Sequence, residues 1–395
     1  MYVIVLMISK RILLLYPFLI GLGTYDPIFG NDAAFGLVEL SIILMFSVFV
    51  INIKKNIQYL DVTLILPFLL VPFLFLSSFV ELKYLGVEMI NLRLFFSILS
   101  FLMMIVITKQ LKVQNKEIFK AFIAGILLVS IFGMLGLISY DIGVNSRWSL
   151  GGENSNYTSS RCTFAIILSI YVMNTYISRM KKLIMFVIIL FLFFIIINSG
   201  SRGSMLISLF IPFIYIISKY KFNKVVFVFF VLVLVSYYIF ADIFLESATY
   251  QRLLESAEEN SLGARQSIWQ DAIQIFYSNP VLGVGEIGYK LEMLYRYKYY
   301  LDTHNMYLYV LVCGGLLSMY IVVIFHFYLL KIAIKAMKKN KNILPICILL
   351  FVILLAAKTG GALYSKNIWF YFSISYLSAI NESNNIVSLL GIKKV

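Results

Sequence analysis

Charge is what this chain has least of. Only 13% of its 395 residues are Asp, Glu, Lys or Arg, while 61% are hydrophobic. A soluble domain carries about a quarter charged and about half apolar residues, so a soluble globular fold is excluded. Cysteine is also scarce. Cys162, Cys313 and Cys347 stand apart in apolar runs, with neither the paired spacing of a zinc site nor a disulfide framework. Histidine occurs twice, as His304 and His326, and no cluster of Asp, Glu and His has metal-ligand spacing. The chemistry is therefore expected to run without a metal, and no cofactor is called for. A Rossmann fingerprint and an internal repeat are both missing. No Gly-Lys-Ser/Thr follows the compact turn NSGSRGS at 198–204, so that turn is not a Walker loop. Few charged residues lie inside the apolar runs, which weakens an ion-driven transporter with a midplane site.

What the chain does have is apolar runs long enough to cross a bilayer, recurring from end to end. They fall at 11–23, 34–52, 62–79, 87–107, 118–140, 162–177, 183–198, 204–218, 225–241, 304–330, 343–357 and 363–380. The pattern predicts an all-α polytopic membrane protein of about 12 transmembrane helices. The shorter runs require tilt or local thinning of the bilayer. The first follows Lys10-Arg11 with no small-residue cleavage site, and reads as a retained signal anchor.

Lysines set the orientation. One alternating set of connections holds Lys10 and Arg11, Lys54 and Lys55, and then Lys109, Lys112, Lys116 and Lys120. The same set continues through Arg179, Lys181 and Lys182, through Lys219, Lys221 and Lys224, and through the run from Lys331 to Lys341, ending at Lys393 and Lys394. The positive-inside rule puts these, and both termini, in the cytoplasm. The formal net charge of +14 is then topological and needs no nucleic acid, though such a face attracts anionic membrane lipid. Three blocks follow: helices 1–9 over residues 1–241, a long outer-face loop with amphipathic helices over 242–303, and helices 10–12 with a cytoplasmic tail over 304–395.

Arginine is distributed differently. Arg93, Arg147, Arg161, Arg202, Arg252, Arg265 and Arg296 all fall on or near the expected outer face. A guanidinium binds phosphate or carboxylate in a two-pronged way that lysine cannot, so the set points to an anionic ligand outside. For any one of them, snorkelling or pairing with a carboxylate is the plainer account. Arg147 beside Trp148, in the polar stretch 141–161, fits either an interfacial anchor or a ligand contact. In NSGSRGS the small residues let backbone approach a ligand, Ser204 is placed to cap the next helix, and Arg202 adds charge to a helix start. A tight hairpin with Arg202 at headgroup level is the competing reading.

The outer loop contains LGARQSIWQDAIQIFYSNPVLGVG. Ile268, Ala272, Ile275 and Phe276 recur at helical spacing, while Arg265, Trp269 and Ile273 line one side of the same helix. Pro280, Gly283 and Gly285 end it. The loop returns to the membrane at DTHN, where His304 opens the tenth run beside the arginines. His is the usual general base near neutral pH, which makes His304 the candidate catalytic base, although a lone interfacial histidine is often inert. His326 lies 22 residues on, about 33 Å along a straight helix, and is expected to be structural and unable to share a site with His304.

Four features together resemble the bacterial O-antigen polymerase and O-antigen ligase family. They are SGSRGSMLIS at 199–208, LGARQSIWQDAIQIFYSNPVLGVGEIGY at 262–289, HNMYLYVLVCGG at 304–315, and a long outer loop before the tenth of twelve spans. The resemblance implies an inverting, metal-independent glycosyltransferase in the bacterial inner membrane, with its active site on the outer face. Its donor and acceptor would be oligosaccharide repeat units on undecaprenyl diphosphate, as in O-antigen or capsule assembly. A chain-length regulator is the protein partner such a polymerase implies. Carried over by motif, Arg202 and Arg265 become ligands of the diphosphate and His304 the base. Arg252 joins them through an Arg-x10-Gly spacing to Gly263, which the earlier loop lacks, since Thr158 follows Arg147 at that spacing. Within the family a repeat-unit polymerase is preferred to a ligase acting on lipid A core. A flippase for lipid-linked oligosaccharide is the alternative of a different class, but it would be expected to line its spans with charge.

Overall fold

The computed structural model describes residues 2–23, 36–79, 92–137, 140–143, 147–150, 154–219, 245, 250, 254, 265–298, 302–359 and 363–389. Helices dominate them. In chain order they are α1 (Tyr2–Leu22), α2 (Leu37–Ile51), α3 (Ile53–Asn56), α4 (Val62–Ile65), α5 (Leu70–Phe79), α6 (Leu92–Leu111) and α7 (Asn115–Met134). After a strand pair come α8 (Ser155–Thr175), α9 (Arg179–Asn198), α10 (Arg202–Lys219), α11 (Arg265–Ser278) and α12 (Gly285–Tyr297). The series closes with α13 (Met306–Asn340), α14 (Leu344–Ala356) and α15 (Lys366–Leu389).

A helix overlies every expected span except 225–241, which lies outside the described residues. Among the described residues five helices are long and apolar enough to cross a membrane: α6 from Arg93, α7, α9, α10 and α13. A sixth has the length to cross if α2 and the helical segment Ile53–Tyr59, which meet at a 90° bend, form one span. On α9 the side chains of Leu183, Ile184, Val187 and Leu190 are exposed. Such a row of aliphatic groups lacks partners in water and finds them in lipid. The chain is an integral membrane protein.

Two expectations need amending here. The all-α description omits a hairpin, β1 (Tyr140–Gly143) paired antiparallel with β2 (Arg147–Leu150), Tyr140 facing Leu150 and Gly143 facing Arg147. A polar connection of this length satisfies its backbone by pairing with itself, and Trp148 gains an edge contact with Phe194, 5.3 Å between ring centres. The run 62–79 is not one helix either. Pro67 lacks an N–H, and the chain passes from α4 to α5 through a 3-10 segment, Leu66–Leu69.

The chain forms two compact units. The first holds residues 1–48, 111–261 and 341–351; the second holds 49–110, 262–340 and 352–395. In the first, α1 packs on α7, and α8 packs on α7, α9 and α10. Two glycines set the first of these contacts. A Cβ on Gly21 would stand 2.3 Å from the Phe122 carbonyl oxygen, and one on Gly125 2.1 Å from that of Phe18. Small residues that admit a neighbouring backbone are the usual device of helix pairs in lipid. Lys10 pairs with Glu117 across the same two helices at 2.9 Å.

Arg161 departs from the outer-face set. It is fully buried in α8, and its Nη1 donates to the Gly21 carbonyl at 2.6 Å. That carbonyl lies in the last turn of α1, where no intrahelical N–H is available to it. Arg161 therefore completes a helix end inside the protein.

In the second unit α13 is central, with α5, α11, α12 and α15 packed on it. Phe101 of α6, Phe325 of α13 and Trp369 of α15 meet with ring centres 5.7–5.9 Å apart. At another point Lys109 donates to the Tyr376 hydroxyl at 3.0 Å, and that hydroxyl donates to Asp61, whose other oxygen caps α4 at the Leu64 N–H.

The tenth run does not continue straight from 304 to 330. Gly315 has φ 63° and ψ −166°, so α13 is two helices joined at a break. Tyr307 on one side and His326 on the other come within 3.3 Å, hydroxyl to Nε2. A straight helix would hold their Cα atoms about 28 Å apart. The chain therefore turns back on itself at Gly315, and the expected separation of about 33 Å between His304 and His326 does not hold.

Breaking a helix strands backbone groups, and non-helical backbone at membrane depth is tolerated only where protein satisfies it. The segment Pro280–Gly283 does this. Leu316 N–H donates to the Pro280 carbonyl (2.9 Å), Leu317 N–H to that of Val281 (3.3 Å), and Val284 N–H to that of Val312 (3.0 Å). The fit is close: a Cβ on Gly315 would lie 2.2 Å from the Val281 oxygen, and one on Gly283 2.5 Å from the Cys313 carbonyl carbon.

Candidate active site

Arg202 begins α10 in the first unit. Gly200, at φ +68°, reverses the chain between α9 and α10. Arg147 lies over this turn, donating through Nε to the Ser199 carbonyl (3.0 Å) and through Nη2 to Asn156 Oδ1 (3.1 Å). It binds protein backbone, so its place is that of a clamp on the turn. The serines point inward, Ser159 and Ser201 both donating to the Ser204 hydroxyl at 3.0 and 3.1 Å. Ser204 is thus buried inside the first turn of α10 and does not cap it. The helix starts two residues earlier than expected, and the Ser201 carbonyl accepts the first helical N–H, from Met205, at 3.0 Å. Arg202 is half-buried at that start, where a guanidinium and the positive end of the helix dipole both favour an anion.

Arg265 and His304 belong to the second unit. Arg265 is the first residue of α11, and of the four apolar residues at helical spacing Ile268, Ala272 and Ile275 are buried while Phe276 is half-buried. One helical turn after Arg265, on the same side, the Trp269 indole Nε1–H donates to the Thr303 carbonyl at 2.7 Å. The structure therefore brings the start of α11 and the His304 turn together. Arg252 lies outside the described residues.

The turn itself is closely specified. Thr303 is fully buried, and its hydroxyl donates to the Asn305 carbonyl at 2.8 Å. Asp302 Oδ1 accepts the His304 backbone N–H at 3.1 Å, which makes it a turn former. Asn305 Oδ1 accepts from Tyr307 N–H (3.0 Å) and Leu308 N–H (3.2 Å), capping the half-helix 306–314. Between them His304 sits at φ 49°, a left-handed conformation that costs a non-glycine residue on the order of 1 kcal/mol and persists only where surroundings enforce it. The side chain is half-buried.

Behind the turn the rings of Tyr289, Tyr309 and Tyr364 stack edge to face, centres 5.9 Å apart, and the Tyr364 hydroxyl donates to that of Tyr309 at 3.4 Å. On α12 Arg296 is engaged with the buried carboxylate of Glu292. Burial first, then the Asp271 carboxylate, holds the Tyr297 hydroxyl above its ordinary range. Arg296, like Arg147 and Arg161, thus has a structural partner.

Three participants carry no assignment in the sequence: Trp269 as the tie to Thr303, and Tyr307 with His326 as a pair. The helical spacing of Arg265 and Trp269 was a visible signal for the first. The adjacent Gly314 and Gly315 inside an apolar run were a signal for the break that brings the other two together.

Residues 186–323 match the family model described as O-antigen ligase. This bears out the likeness of the chain to the O-antigen ligase and polymerase family. The matched segment contains Arg202, Arg252, Arg265 and His304. No curated protein matches the chain.

Proposed function

We propose that this protein polymerises oligosaccharide repeat units carried on undecaprenyl diphosphate, as a metal-independent, inverting glycosyltransferase of the inner membrane. What carries the proposal is that one family segment, 186–323, holds every residue assigned to the chemistry. The growing glycan is the donor, and a sugar hydroxyl of the next lipid-linked unit is the acceptor. The acceptor oxygen attacks the anomeric carbon from the face opposite the diphosphate. The carbon–oxygen bond to the diphosphate breaks, and undecaprenyl diphosphate leaves with the electron pair. Negative charge grows on that leaving group, and Arg202, Arg265 and Arg252 are assigned to meet it with fixed guanidinium groups. The acceptor's proton passes to the His304 imidazole. The rigid turn at 302–305 suits that task, because a general base must be held within hydrogen-bonding reach of the proton it takes. Both substrates are presented on the outer face, and the long loop 242–303 lies there with them.

The family model's own description favours a second reading, a ligase that moves finished glycan to lipid A core. Deleting the gene in its host separates the two. A polymerase loss removes long chains and retains single repeat units on the final carrier. A ligase loss removes all glycan from lipid A core, and that result would overturn the polymerase assignment.

A further inference from the structure

The sequence reads His326 as structural and remote from His304, yet the break at Gly315 gives it a partner near the candidate site. Its Nδ1 lies 2.7 Å from the Val322 carbonyl, which can only accept, so Nδ1 carries the ring proton. Nε2 is then bare and accepts from the Tyr307 hydroxyl at 3.3 Å. Phe372 of α15 meets the imidazole edge to face at 5.2 Å, and Phe325 meets it at 5.8 Å, which fixes the ring plane. Tyr307 in turn donates its own N–H to Asn305, the cap that follows His304. One hydrogen bond therefore ties the long helix 316–340 to the half-helix 306–314 at the end bearing the His304 turn.

We propose that His326 is a positioning residue for the transfer assigned to His304, acting through Tyr307. The proposal rests on the glycosyltransferase reading above. Without the bond the first turn of the half-helix shifts against helix 316–340, and the imidazole of His304 loses its fixed place relative to the acceptor hydroxyl. Misplacement of a base by about 1 Å costs up to about a hundred-fold in rate. The diphosphate ligands lie on other elements, so donor binding should not follow.

The test uses full-length protein and four variants. Tyr307→Phe removes the donor, and His326→Asn keeps a group that reaches Val322 but not one that reaches Tyr307. Each should lower kcat by on the order of ten- to a hundred-fold with KM for the lipid-linked donor unchanged. His326→Gln places a carbonyl near the position of Nε2 and should restore most of the rate. The double variant Tyr307→Phe/His326→Asn should be no slower than the slower single one. Wild-type kcat in Tyr307→Phe, or multiplying losses in the double variant, would overturn the proposal.

Proximity is measured separately, with Cys162, Cys313 and Cys347 replaced by Ala and cysteines placed at 307 and 326. A bifunctional thiol reagent of roughly 10 Å span should bridge them, since a straight helix would hold them about 28 Å apart. An absent bridge would overturn the pairing and leave the polymerase reading standing. A bridge in the cysteine variant, together with wild-type protein that forms no glycosidic bond, would overturn the function, and with it the positioning role.

Discussion

At the scale of single residues, three of the seven expected outer arginines are set apart by the protein groups they hold. Arg147 clamps a turn, Arg161 completes the end of α1, and Arg296 pairs with Glu292. That partition was not legible beforehand, because Gly21 lies 140 residues from Arg161 and Ser199 52 from Arg147. Sequence shows residue type and spacing, whereas the partner of an arginine is set by tertiary packing. Arg202, Arg265 and Arg252 are the proposed ligands of the diphosphate. Arg202→Lys and Arg265→Lys retain charge but lose the planar fork, so each should lose most polymer synthesis at normal protein level. Wild-type synthesis in both would make them ordinary surface residues. His304 can be judged by two variants. His304→Ala should lower turnover by about two to four orders of magnitude, with donor binding intact. His304→Gln separates its roles: an active Gln variant would remove the base and leave a residue that only orients the sugar.

At the scale of elements, apolar runs located the helices well, and the inner face of α11 was readable from its period. What escaped was the interior of the tenth run. Its hydropathy continues across Gly315, since apolar side chains line both halves, but the backbone does not continue. Only the Gly314-Gly315 pair marks the place, and its partner segment, Pro280–Gly283, carries in sequence only the signal of a helix stop. Gly315→Ala therefore makes a strong test of the fold. The position needs φ near +63°, and a Cβ would strike the Val281 carbonyl. A loss of thermal stability of about 1–3 kcal/mol or more is expected, together with loss of activity. Gly125→Ala strikes the Phe18 carbonyl in the other unit and should cost a similar amount. Its surviving folded protein should retain turnover per molecule, because no assigned residue lies on that contact. Melting curves of the purified variants, read beside their rates, distinguish the two cases.

At the scale of the whole molecule, orientation rests on lysine. The Lys clusters mark the cytoplasmic side of the expected spans under the positive-inside rule, and the proposed orientation puts α11, α12 and the His304 turn on the outer side. Tyr295 is 79% exposed on α12, and a cysteine there should react with a membrane-impermeant thiol reagent in intact spheroplasts. Labelling only after lysis would reverse the topology and move the site to the wrong compartment for its substrates. The central claim is chemical, however: the protein itself makes glycosidic bonds between lipid-linked units. Purified protein in detergent, supplied with undecaprenyl-diphosphate-linked repeat units and no sealed membrane, tests it most directly. The account predicts a ladder of products longer than one repeat, with undecaprenyl diphosphate released and synthesis abolished by His304→Ala. Folded wild-type protein that leaves every unit single, while moving the same lipid across a sealed vesicle, would contradict it.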